Sequence, residues 1–518
     1  MSVILSEPSE SKEPPNGVRG RKVAIIGGGI AGLSAAWSLE KARRAGSALE
    51  YRLYEASGRL GGVIRSETID GCVIEGGPDS WLTEKPAAAA LCRELGLADQ
   101  LLPSNDHERK TYIVVRNRLI PLPDGLMFMI PTRLVPTAFT RLFSWSTKLR
   151  MAREYLFPPP PATEDESVAT MTRRHFGQET VDRLVSPLLS GVYGGNASQL
   201  SVRAVLPRMV TMEQNHGSLT RAMLAARKKA TVPPPPAPGA PGLASETRDR
   251  PRSLFTTLRG GMRQMVDAIA AQLQPGAIHL SSTVHSIARP KPDPRPSRLH
   301  AAPDNTWLIE TAFGQEQFDG LILALPAWVS ASLLRPLNAP LAEALAGVPY
   351  SSSITVTMGF NMADLSSLPP GFGYLVPATE KRSMLACTFV HAKFAGRTPA
   401  GKGVLRCFLG GSGNEHLLDE TDAHLTEIVL QELSAILGLK ATPNFVRIVR
   451  SRHSMAQYAV GHLERMLIVR HAVAAIPGLA LAGNAYEGIG VPDCIRTGQQ
   501  AAEAVLHALE EQPAAATV

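Results

Sequence analysis

The fold is decided by one stretch near the amino terminus, Lys22-Val-Ala-Ile-Ile-Gly-Gly-Gly-Ile-Ala-Gly-Leu-Ser-Ala-Ala36. Its first five residues are mostly apolar and rich in β-branched types, which is typical of a buried parallel strand. Gly27, Gly29 and Gly32 follow at G-x-G-x-x-G spacing, and a helical pattern begins at Ile30. Gly27 permits a tight turn, Gly29 lets the backbone approach a pyrophosphate, and Gly32 lets the helix pack close to the strand. The stretch therefore predicts a dinucleotide-binding strand, turn and helix.

An acidic residue further along supports this interpretation. A second strand candidate, Glu50 to Tyr54, ends at Glu55. In the dinucleotide fingerprint, an acid about twenty residues past the glycines accepts hydrogen bonds from ribose hydroxyls. Because strand, turn, helix, strand and acid arrive in order, a glycine turn without a ligand is the weaker interpretation.

Composition describes a globular chain and sets limits on its partners. The 518 residues are 44% apolar and 19% charged, which suits two or three folded domains. The formal net charge of +7 suits an anionic substrate or an acidic membrane surface. Nucleic acid is the less favoured partner for this charge, because the chain shows no nucleic-acid-binding motif.

The cysteines and the termini indicate the compartment. Cys72, Cys92, Cys387, Cys407 and Cys494 are odd in number and scattered, so we expect reduced thiols and no metal site. The amino terminus does not look like a signal peptide, and no apolar run reaches the roughly 20 residues of a spanning helix. We expect a cytoplasmic chain, with peripheral attachment to the inner face of the membrane left open.

Composition shifts along the chain predict its domain organisation. The regions expected in order are a disordered tail at 1–20, a first part of the nucleotide domain at 21–111, a helical membrane or substrate region at 112–230, a proline-rich insertion at 231–251, a second nucleotide part at 252–319, a substrate-binding domain with an antiparallel sheet at 320–455, a third nucleotide part at 456–510 and a tail at 511–518.

One basic amphipathic segment stands out in the helical region. From Ile130 to Arg153 there are five basic residues and no acid, and aromatic and aliphatic residues interleave with them. Such a segment can lie on an anionic membrane. An ordinary surface helix that covers a cavity fits the pattern equally well.

The motif Arg59-Leu-Gly61-Gly62 specifies which dinucleotide is expected. It resembles the second pyrophosphate-contacting motif of FAD-dependent amine oxidases, phytoene desaturases and porphyrinogen oxidases, which NAD-binding domains generally lack. FAD is therefore favoured over NAD. Near the carboxyl terminus, Leu479 to Asp493 again reads as a strand and glycine loop that deliver a helix start. The positive end of that helix dipole can stabilise negative charge at flavin N1 and the C2 carbonyl.

A more specific resemblance begins at Ser190-Gly-Val-Tyr-Gly-Gly-Asn196 and continues at Leu200-Ser-Val-Arg203. This tract resembles the porphyrinogen oxidases of haem synthesis, which usually carry Asp-Pro where this chain has Asn196-Ala197. Further matching pieces, in order, are Glu75-Gly-Gly-Pro-Asp-Ser80, Gly217-Ser-Leu219, Gly371-Phe-Gly-Tyr-Leu-Val-Pro377, Gln457-Tyr458 with Gly461-His462, and Gly483-Asn-Ala-Tyr-Glu-Gly488 with Pro492-Asp-Cys494. The resemblance covers roughly residues 21–510.

The resemblance implies an α/β fold. Its FAD-binding domain would be Rossmann-like, of the para-hydroxybenzoate-hydroxylase and amine oxidase type, with an inserted antiparallel-sheet substrate domain and a helical region. It implies FAD-dependent oxidation of protoporphyrinogen IX or coproporphyrinogen III to the porphyrin. Six electrons would pass through FAD to oxygen and give hydrogen peroxide. The expected partners are the porphyrinogen and oxygen, while membrane contact and a homodimer are left open.

Site residues follow from the motifs and from the resemblance. The expected cofactor-binding residues are Gly27, Gly29, Ile30, Ala31, Gly32, Glu55, Ala56, Arg59, Gly61, Gly62, Gly76, Gly77, Pro78, Asp79, Val284, Gly483, Asn484, Gly490, Val491, Pro492 and Asp493. Lys85 matches the family's basic residue near the substrate and is expected to bind a propionate, with a solvated surface lysine as the alternative. No catalytic side chain is assigned, because flavin N5 accepts the hydride and positioning matters more than a strong base.

Two other enzyme classes and a binding protein compete with this interpretation. A flavin amine oxidase often attaches FAD through a cysteine before the carboxyl-terminal glycine loop, but no cysteine lies between Cys407 and Cys494. We therefore expect non-covalent FAD. A carotenoid desaturase would lack the tract from Ser190 to Arg203. A protein that keeps FAD only as a structural group would not turn over a porphyrinogen.

Overall fold

The computed structural model describes residues 20–123, 126–127, 130–131, 139–230, 253–290 and 306–511. The expected tails at 1–20 and 511–518 lie outside these ranges, apart from Gly20 and Glu511. The proline-rich insertion at 231–251 and part of the basic segment, 132–138, also lie outside them.

The strands within these ranges carry the labels used below. They are β1 (Arg21–Ile26), β2 (Leu49–Tyr54), β3 (Ser66–Ile69), β4 (Cys72–Glu75), β5 (Trp81–Leu82), β6 (Leu101–Pro103), β7 (Thr111–Val115), β8 (Arg118–Pro121), β9 (Leu126–Met127), β10 (Ile130–Pro131), β11 (Phe255–Leu258), β12 (Ile278–His279), β13 (Val284–Ala288), β14 (Trp307–Thr311), β15 (Gly314–Phe318), β16 (Gly320–Leu323), β17 (Tyr350–Asn361), β18 (Gly373–Leu375), β19 (Met384–Phe389), β20 (Lys402–Gly410), β21 (Phe445–Ala456) and β22 (Leu479–Leu481).

The helices are labelled in the same way. They are α1 (Ile30–Arg44), α2 (Pro86–Glu94), α3 (Trp145–Leu156), α4 (Val168–Phe176), α5 (Gln178–Thr180), α6 (Ser186–Tyr193), α7 (Val202–Val205), α8 (Pro207–His216), α9 (Leu219–Ala230), α10 (Arg263–Gln272), α11 (Ala327–Leu334), α12 (Ala339–Ala346), α13 (Val390–Lys393), α14 (Asp422–Leu437), α15 (His462–Ala474) and α16 (Val491–Glu510). A π-helical turn, Val181–Val185, joins α5 to α6, and short 3₁₀ turns occupy Ala98–Gln100, Asp106–Glu108, Met362–Leu365, Ala378–Glu380 and Glu415–Asp419.

A five-stranded parallel sheet lies at the centre of the nucleotide domain, in the order β12-β2-β1-β16-β22. All neighbouring pairs are parallel, so the carboxyl ends of the strands meet at one edge. β16 is buried along its whole length and β1 along its last four residues, as expected of central parallel strands. The sheet takes strands from residues 21 to 481, so both ends of the chain build one domain.

Helices α1 and α16 pack on this sheet and directly against each other. Their contact is close because Gly498 faces Ala31. A Cβ added to Gly498 would lie 2.1 Å from the Ala31 carbonyl oxygen, so a larger residue would separate the helices. α16 begins at Val491, because Gly490 serves as the N-cap and Pro492 suits the first helical turn.

A seven-stranded sheet, in the order β21-β17-β20-β19-β18-β7-β8, takes most of its strands from 320–455, the region expected to be the substrate-binding domain. It is antiparallel except where β18 runs parallel to β7. Helix α14 covers one face through Leu425, Val429 and Leu433, which share a core with the buried side of the sheet. The hairpin β7–β8 begins at Thr111 and otherwise lies within 112–230, the region expected to be helical. Conversely, β16 belongs to the parallel sheet, although it lies at the start of 320–455, the region expected to be the substrate-binding domain.

Helices α3 to α9 form a separate layer with its own apolar core, which includes Met151, Val168, Met171 and Leu184. The remaining strands form small sheets that join the larger units: β5-β11-β6, β13-β14-β15, β3-β4 and β9-β10. None of the helices within the described ranges has the length and apolar character needed to span a bilayer.

Candidate active site

The glycine turn after β1 has the geometry that its sequence predicts. Gly27 has a φ of +108°, and a Cβ added there would lie 2.4 Å from the Ala324 carbonyl oxygen. A Cβ on Gly32 would lie 1.9 Å from the Gly27 carbonyl oxygen, so the helix can reach the strand only with glycine at this position. Gly29 differs, because an added Cβ would meet nothing within 4 Å. The backbone at Gly29 therefore borders open space.

The start of α1 is suited to an anion. Gly29 is the N-cap residue, no side chain caps the helix, and its first turn contains no acid. The first N–H groups of a helix have no partner within the helix, and they carry the positive end of its dipole. The open space over Gly29 and these donors together fit a pyrophosphate.

Glu55 lies beside this turn at the carboxyl end of β2. Its Oε2 accepts a hydrogen bond from the Gly28 N–H at 2.7 Å, and its Oε1 accepts from the Ser57 N–H at 2.8 Å. The carboxylate is thus fixed between the glycine turn and the exposed turn that contains Ala56. This position fits the predicted role of Glu55 at a ribose.

The second motif folds back over the first. The Gly61 N–H donates to the Gly28 carbonyl at 2.8 Å, and a Cβ on Gly62 would lie 3.2 Å from the Gly29 Cα. Arg59 donates to the Leu60 and Ile64 carbonyls at 3.2 Å. Burial, followed by the nearby Arg65 and Arg263, lowers the pKa of Arg59. Arg65 and Arg263 are therefore close enough to Arg59 for their charges to act on it.

The segment before β13 lies next to Glu55. The Ser282 N–H donates to the Glu55 carbonyl and the Ser281 N–H to the Ser57 carbonyl, each at 2.9 Å. Val284 follows directly as the first residue of β13 and is half-buried. This placement is compatible with the adenine side of a dinucleotide.

On the opposite side of β1, the carboxyl end of β22 leads into Gly483 and Asn484. The Asn484 side chain donates to the Ser454 carbonyl at 2.9 Å, and its own carbonyl accepts from the Tyr458 hydroxyl at 2.9 Å. The Gly488 N–H also donates to that hydroxyl, at 2.6 Å. The loop is therefore fixed before it reaches Gly490 and the start of α16 with Val491, Pro492 and Asp493.

The Gly76–Asp79 loop is held by side chains that the sequence did not identify. Thr355 donates to the Gly76 carbonyl at 3.3 Å, Arg406 to the Gly77 carbonyl, and Thr257 to the Asp79 carbonyl at 2.6 Å. A Cβ on Gly77 would lie 1.8 Å from the Val63 carbonyl oxygen, so this position requires glycine. Pro78 further stiffens the loop, because its ring fixes φ.

Asp79 itself is surrounded by cations. Lys393 Nζ lies 3.0 Å from its Oδ2, and Arg406 Nη1 lies 3.8 Å away. Burial raises the pKa of Asp79, but Lys393 and Arg406 outweigh it and hold the pKa below the ordinary value. Arg406 could have been noticed from the sequence, since it is the single charge inside the apolar run of β20.

Lys85, the expected propionate ligand, has a carboxylate partner within the chain. Its Nζ lies 2.6 Å from Asp493 Oδ2, although 41% of the lysine side chain is exposed. The pair joins the start of α2 to the start of α16. Lys85 is therefore paired within the chain, which neither of the two expectations included. Its expected role as a propionate ligand stays a prediction.

The tract from Ser190 to Arg203 borders the same region. The Tyr193 carbonyl accepts from Gln457 Nε2 at 2.7 Å, and a Cβ on Gly195 would lie 1.8 Å from Gln457 Oε1. Burial, followed by the charge of Asp493, raises the pKa of Tyr193 to about 12. The tract, the Gln457–Tyr458 pair and the start of α16 thus meet, although they are far apart in sequence.

Together these segments border one region at the carboxyl edge of the parallel sheet. The phosphates of a dinucleotide are expected at Gly29, its ribose at Glu55 and Val284, and its other end at Gly76–Asp79, Gly483 and Gly490–Asp493. The residues present fit the group that the motifs imply. Across the described ranges, no group of three or more His, Cys, Asp and Glu side chains is placed to hold a metal ion.

Comparisons with known proteins agree with this arrangement. The family model for flavin containing amine oxidoreductases matches residues 30–506. Coproporphyrinogen III oxidase of Bacillus subtilis is 32% identical over 93% of this chain and 97% of its own length. Protoporphyrinogen oxidase of Homo sapiens is 30% identical over 94% of this chain and 98% of its own length.

Solved structures also resemble the chain. A crystal structure from Exiguobacterium sp. 255-15, described as that of a candidate protoporphyrinogen oxidase, gives a TM-score of 0.81 at 32% identity. The match covers 96% of this chain and all of that one. A putrescine oxidase variant gives a TM-score of 0.63 at 17% identity, which supports the fold alone. The expected fold class is therefore confirmed.

Proposed function

Since this chain belongs to the flavin containing amine oxidoreductases and uses FAD as its cofactor, we propose that it oxidises a porphyrinogen to a porphyrin in haem biosynthesis. The substrate class is taken from the relatives, which include coproporphyrinogen III oxidases and protoporphyrinogen oxidases matched over nearly their whole lengths. Both coproporphyrinogen III and protoporphyrinogen IX remain substrates to be tested.

One observation carries the proposal beyond the family. The Ser190–Arg203 tract, which resembles the porphyrinogen oxidases, packs against Gln457 beside the start of α16. This packing places the tract beside residues that are expected to lie on the flavin side of the site. This placement favours a porphyrinogen oxidase over a flavin amine oxidase or a carotenoid desaturase.

The bound flavin supplies a hydride acceptor at N5. The chain would contribute binding and orientation: α1 and Gly29 would hold the pyrophosphate, Glu55 would hold the ribose, and the Gly76–Asp79 loop would border the flavin. Thr355, Arg406 and Thr257 fix the carbonyl groups of that loop, so its position is set before substrate arrives. Lys393 and Arg406 pair with Asp79 and lower its pKa, so this carboxylate is a weak base, and we expect a pyrrole proton to pass to water instead.

The proposal is tested by turnover of the two porphyrinogens. The FAD-loaded protein is mixed under oxygen with coproporphyrinogen III or protoporphyrinogen IX, and porphyrin fluorescence is followed. Protein stripped of FAD is the control for spontaneous oxidation. We expect fluorescence to appear much faster with the loaded protein, with three hydrogen peroxide molecules for each porphyrin because six electrons reduce three oxygens. Equal rates for loaded and stripped protein with both substrates would reject the proposal.

We also propose that α3 binds the surface of an anionic membrane from the cytoplasmic side. Trp145, Leu149 and Leu156 recur on one face of α3 and are 76%, 73% and 60% exposed. Lys148 lies over the Trp145 ring at 4.5 Å, and Arg153 is exposed near the end of the helix. The single acid of α3, Glu154, is buried. Exposed aromatic and aliphatic residues among cations suit an interfacial helix.

Co-sedimentation with vesicles tests this surface. Leu149→Ser and Trp145→Ser should reduce binding to vesicles that contain anionic lipid, and vesicles of neutral lipid should bind less of the parent protein. Leu467→Ser is a matched control, because Leu467 is a 52% exposed leucine on α15. If all three variants bind as the parent does, α3 is an ordinary surface helix.

A further inference from the structure

The pair formed by Lys85 and Asp493 lies where the flavin ring is expected. Asp493 belongs to the first turn of α16, and its side chain is 11% exposed. Lys85 is the residue that precedes α2, and its Nζ lies 2.6 Å from Asp493 Oδ2. The two residues come from opposite ends of the chain and converge at one helix start.

Asp493 turns back toward the start of its own helix. Its Oδ2 accepts from the Gly490 N–H at 3.2 Å, and a Cβ on Gly488 would lie 2.4 Å from its Cγ. The loop therefore needs glycine at 488 to make room for the carboxylate. The negative charge of a carboxylate at this point offsets the positive end of the helix dipole.

The positive charge of Lys85 offsets the negative charge that Asp493 places at the start of α16. Its ammonium group contacts the same oxygen that accepts the Gly490 N–H. With both residues charged, the pair is neutral, and the helix dipole acts on whatever lies in front of it. Without Lys85, a net negative charge would remain at the helix start.

We infer that the Lys85–Asp493 pair sets the reduction potential of the bound flavin, with Lys85 as a positioning residue that acts through Asp493. The inference rests on the proposed function in placing the flavin ring at the start of α16. Charges near a flavin ring tune its electronics, and reduction adds negative charge at its N1 side. Removing Lys85 should therefore disfavour reduction, and removing the charge of Asp493 should favour it.

The test measures the midpoint potential of the FAD-loaded protein without any porphyrinogen. Lys85→Met should lower the midpoint potential by about 30 mV or more. For a two-electron couple, this shift corresponds to a ten-fold change in the ratio of oxidised to reduced flavin. Asp493→Asn keeps an acceptor for Gly490 and should raise the potential. The double variant, which again has no net charge at the site, should return close to the parent.

Two controls separate this role from simpler ones. Lys85→Arg keeps the charge and should retain the parent potential. Lys41→Met removes a cation from another exposed ion pair, with Glu94 on α2, and should leave the potential unchanged. If Lys85→Met does not retain FAD, the inference is tested by Asp493→Asn alone, which should still raise the midpoint potential.

The outcomes distinguish this inference from the proposed function. Unchanged potentials in Lys85→Met and Asp493→Asn, or shifts in the same direction, would overturn the inference. A raised KM for both porphyrinogens in Lys85→Met, with an unmoved potential, would make Lys85 a substrate ligand instead. Failure of the parent to oxidise either porphyrinogen would reject the proposed function without affecting the potentials.

Discussion

At the scale of single residues, two glycines of the first turn are expected to have different roles, one in folding and the other in cofactor binding. Gly32 touches the backbone of Gly27 so closely that any side chain would clash, whereas Gly29 borders open space. Both belong to one motif, and the sequence does not distinguish their roles by residue type. The geometry predicts that their replacement by alanine has different consequences.

We expect Gly32→Ala to destabilise the chain and prevent FAD binding, because its Cβ would lie 1.9 Å from a backbone oxygen. Gly29 has a φ of −71°, which alanine adopts readily, so Gly29→Ala should fold normally. Its methyl group would occupy the pyrophosphate space and weaken FAD binding about ten-fold or more. The thermal midpoint of the FAD-free protein and FAD titration measure the two effects. Unchanged FAD affinity in Gly29→Ala would move the pyrophosphate elsewhere.

At the scale of secondary structure elements, a buried histidine joins the helices of the α3–α9 layer. His175 on α4 lies 2.9 Å from Glu154 on α3 and 2.8 Å from Glu213 on α8, through its two ring nitrogens. Ionised carboxylates only accept hydrogen bonds, so both nitrogens must donate and the ring must be an imidazolium. Glu154 also accepts from Ser218 and Leu219 at the start of α9.

Charges around the ring support this state. Burial lowers the pKa of His175, but the hydrogen bonds to Glu154 and Glu213 outweigh it, and the pKa is raised. Arg174 also pairs with Glu213 at 2.5 Å, so the carboxylate is shared between two cations. Breaking a buried ion pair of this kind costs about 3–5 kcal/mol. Helix α3, which presents the proposed membrane surface, is therefore held in place by His175.

This arrangement predicts a pH dependence. A raised pKa in the folded state gives stability that is fully present below the unfolded value of about 6.5 and is lost as the pH rises through the folded pKa. His175→Gln should thus lower the thermal midpoint most below pH 6.5, and the difference from the parent should shrink at higher pH. His424→Gln, at an exposed histidine on α14, is the control. A difference that stays constant from pH 6 to 9 would show that His175 is neutral.

At the scale of the whole molecule, the cofactor site is assembled from distant parts of the chain. The residues proposed to hold the pyrophosphate and ribose lie within 27–62, the Gly76–Asp79 loop follows, and the last proposed part comes from 483–493. The Glu75–Arg397 ion pair, at 2.9 Å and almost fully buried, ties β4 to the segment that leads into β20 of the seven-stranded sheet. FAD binding is therefore expected to stabilise the parallel sheet and the seven-stranded sheet together.

The cofactor should be released intact by acid precipitation. The cysteines of the described residues are all free and buried, and Cys494 is the one at the start of α16. Burial, followed by the charge of Asp493, raises its pKa to about 12, so its reactive thiolate is scarcely present. All of the yellow chromophore should appear in the supernatant, and re-added FAD at 100 times its Kd should stabilise the stripped protein by about 2.7 kcal/mol. Flavin that stays with the pellet would show a covalent bond.

The sequence by itself determined the local features of the cofactor domain. Buried strands, the glycine turn, Glu55 and the start of α1 follow from residue type and short spacing, because steric limits on glycine and the alternation of apolar residues act over a few positions. The FAD cofactor and the fold class were predicted with the help of the family resemblance, and both are confirmed. The Arg59–Gly62 motif was likewise readable, since it follows Glu55 within a single turn.

The tertiary structure alone decided which distant side chains meet. Arg406 and Lys393 surround Asp79, and Asp493 pairs with Lys85, across more than 300 residues of chain in each case. The hairpin β7–β8 likewise joins a sheet whose other strands begin at Tyr350. Local spacing carries no information on such distances, because they are set by how sheets and helices pack. For this reason the sequence offered candidate residues for the cofactor site but not the side chains that fix the Gly76–Asp79 loop and pair with its charges.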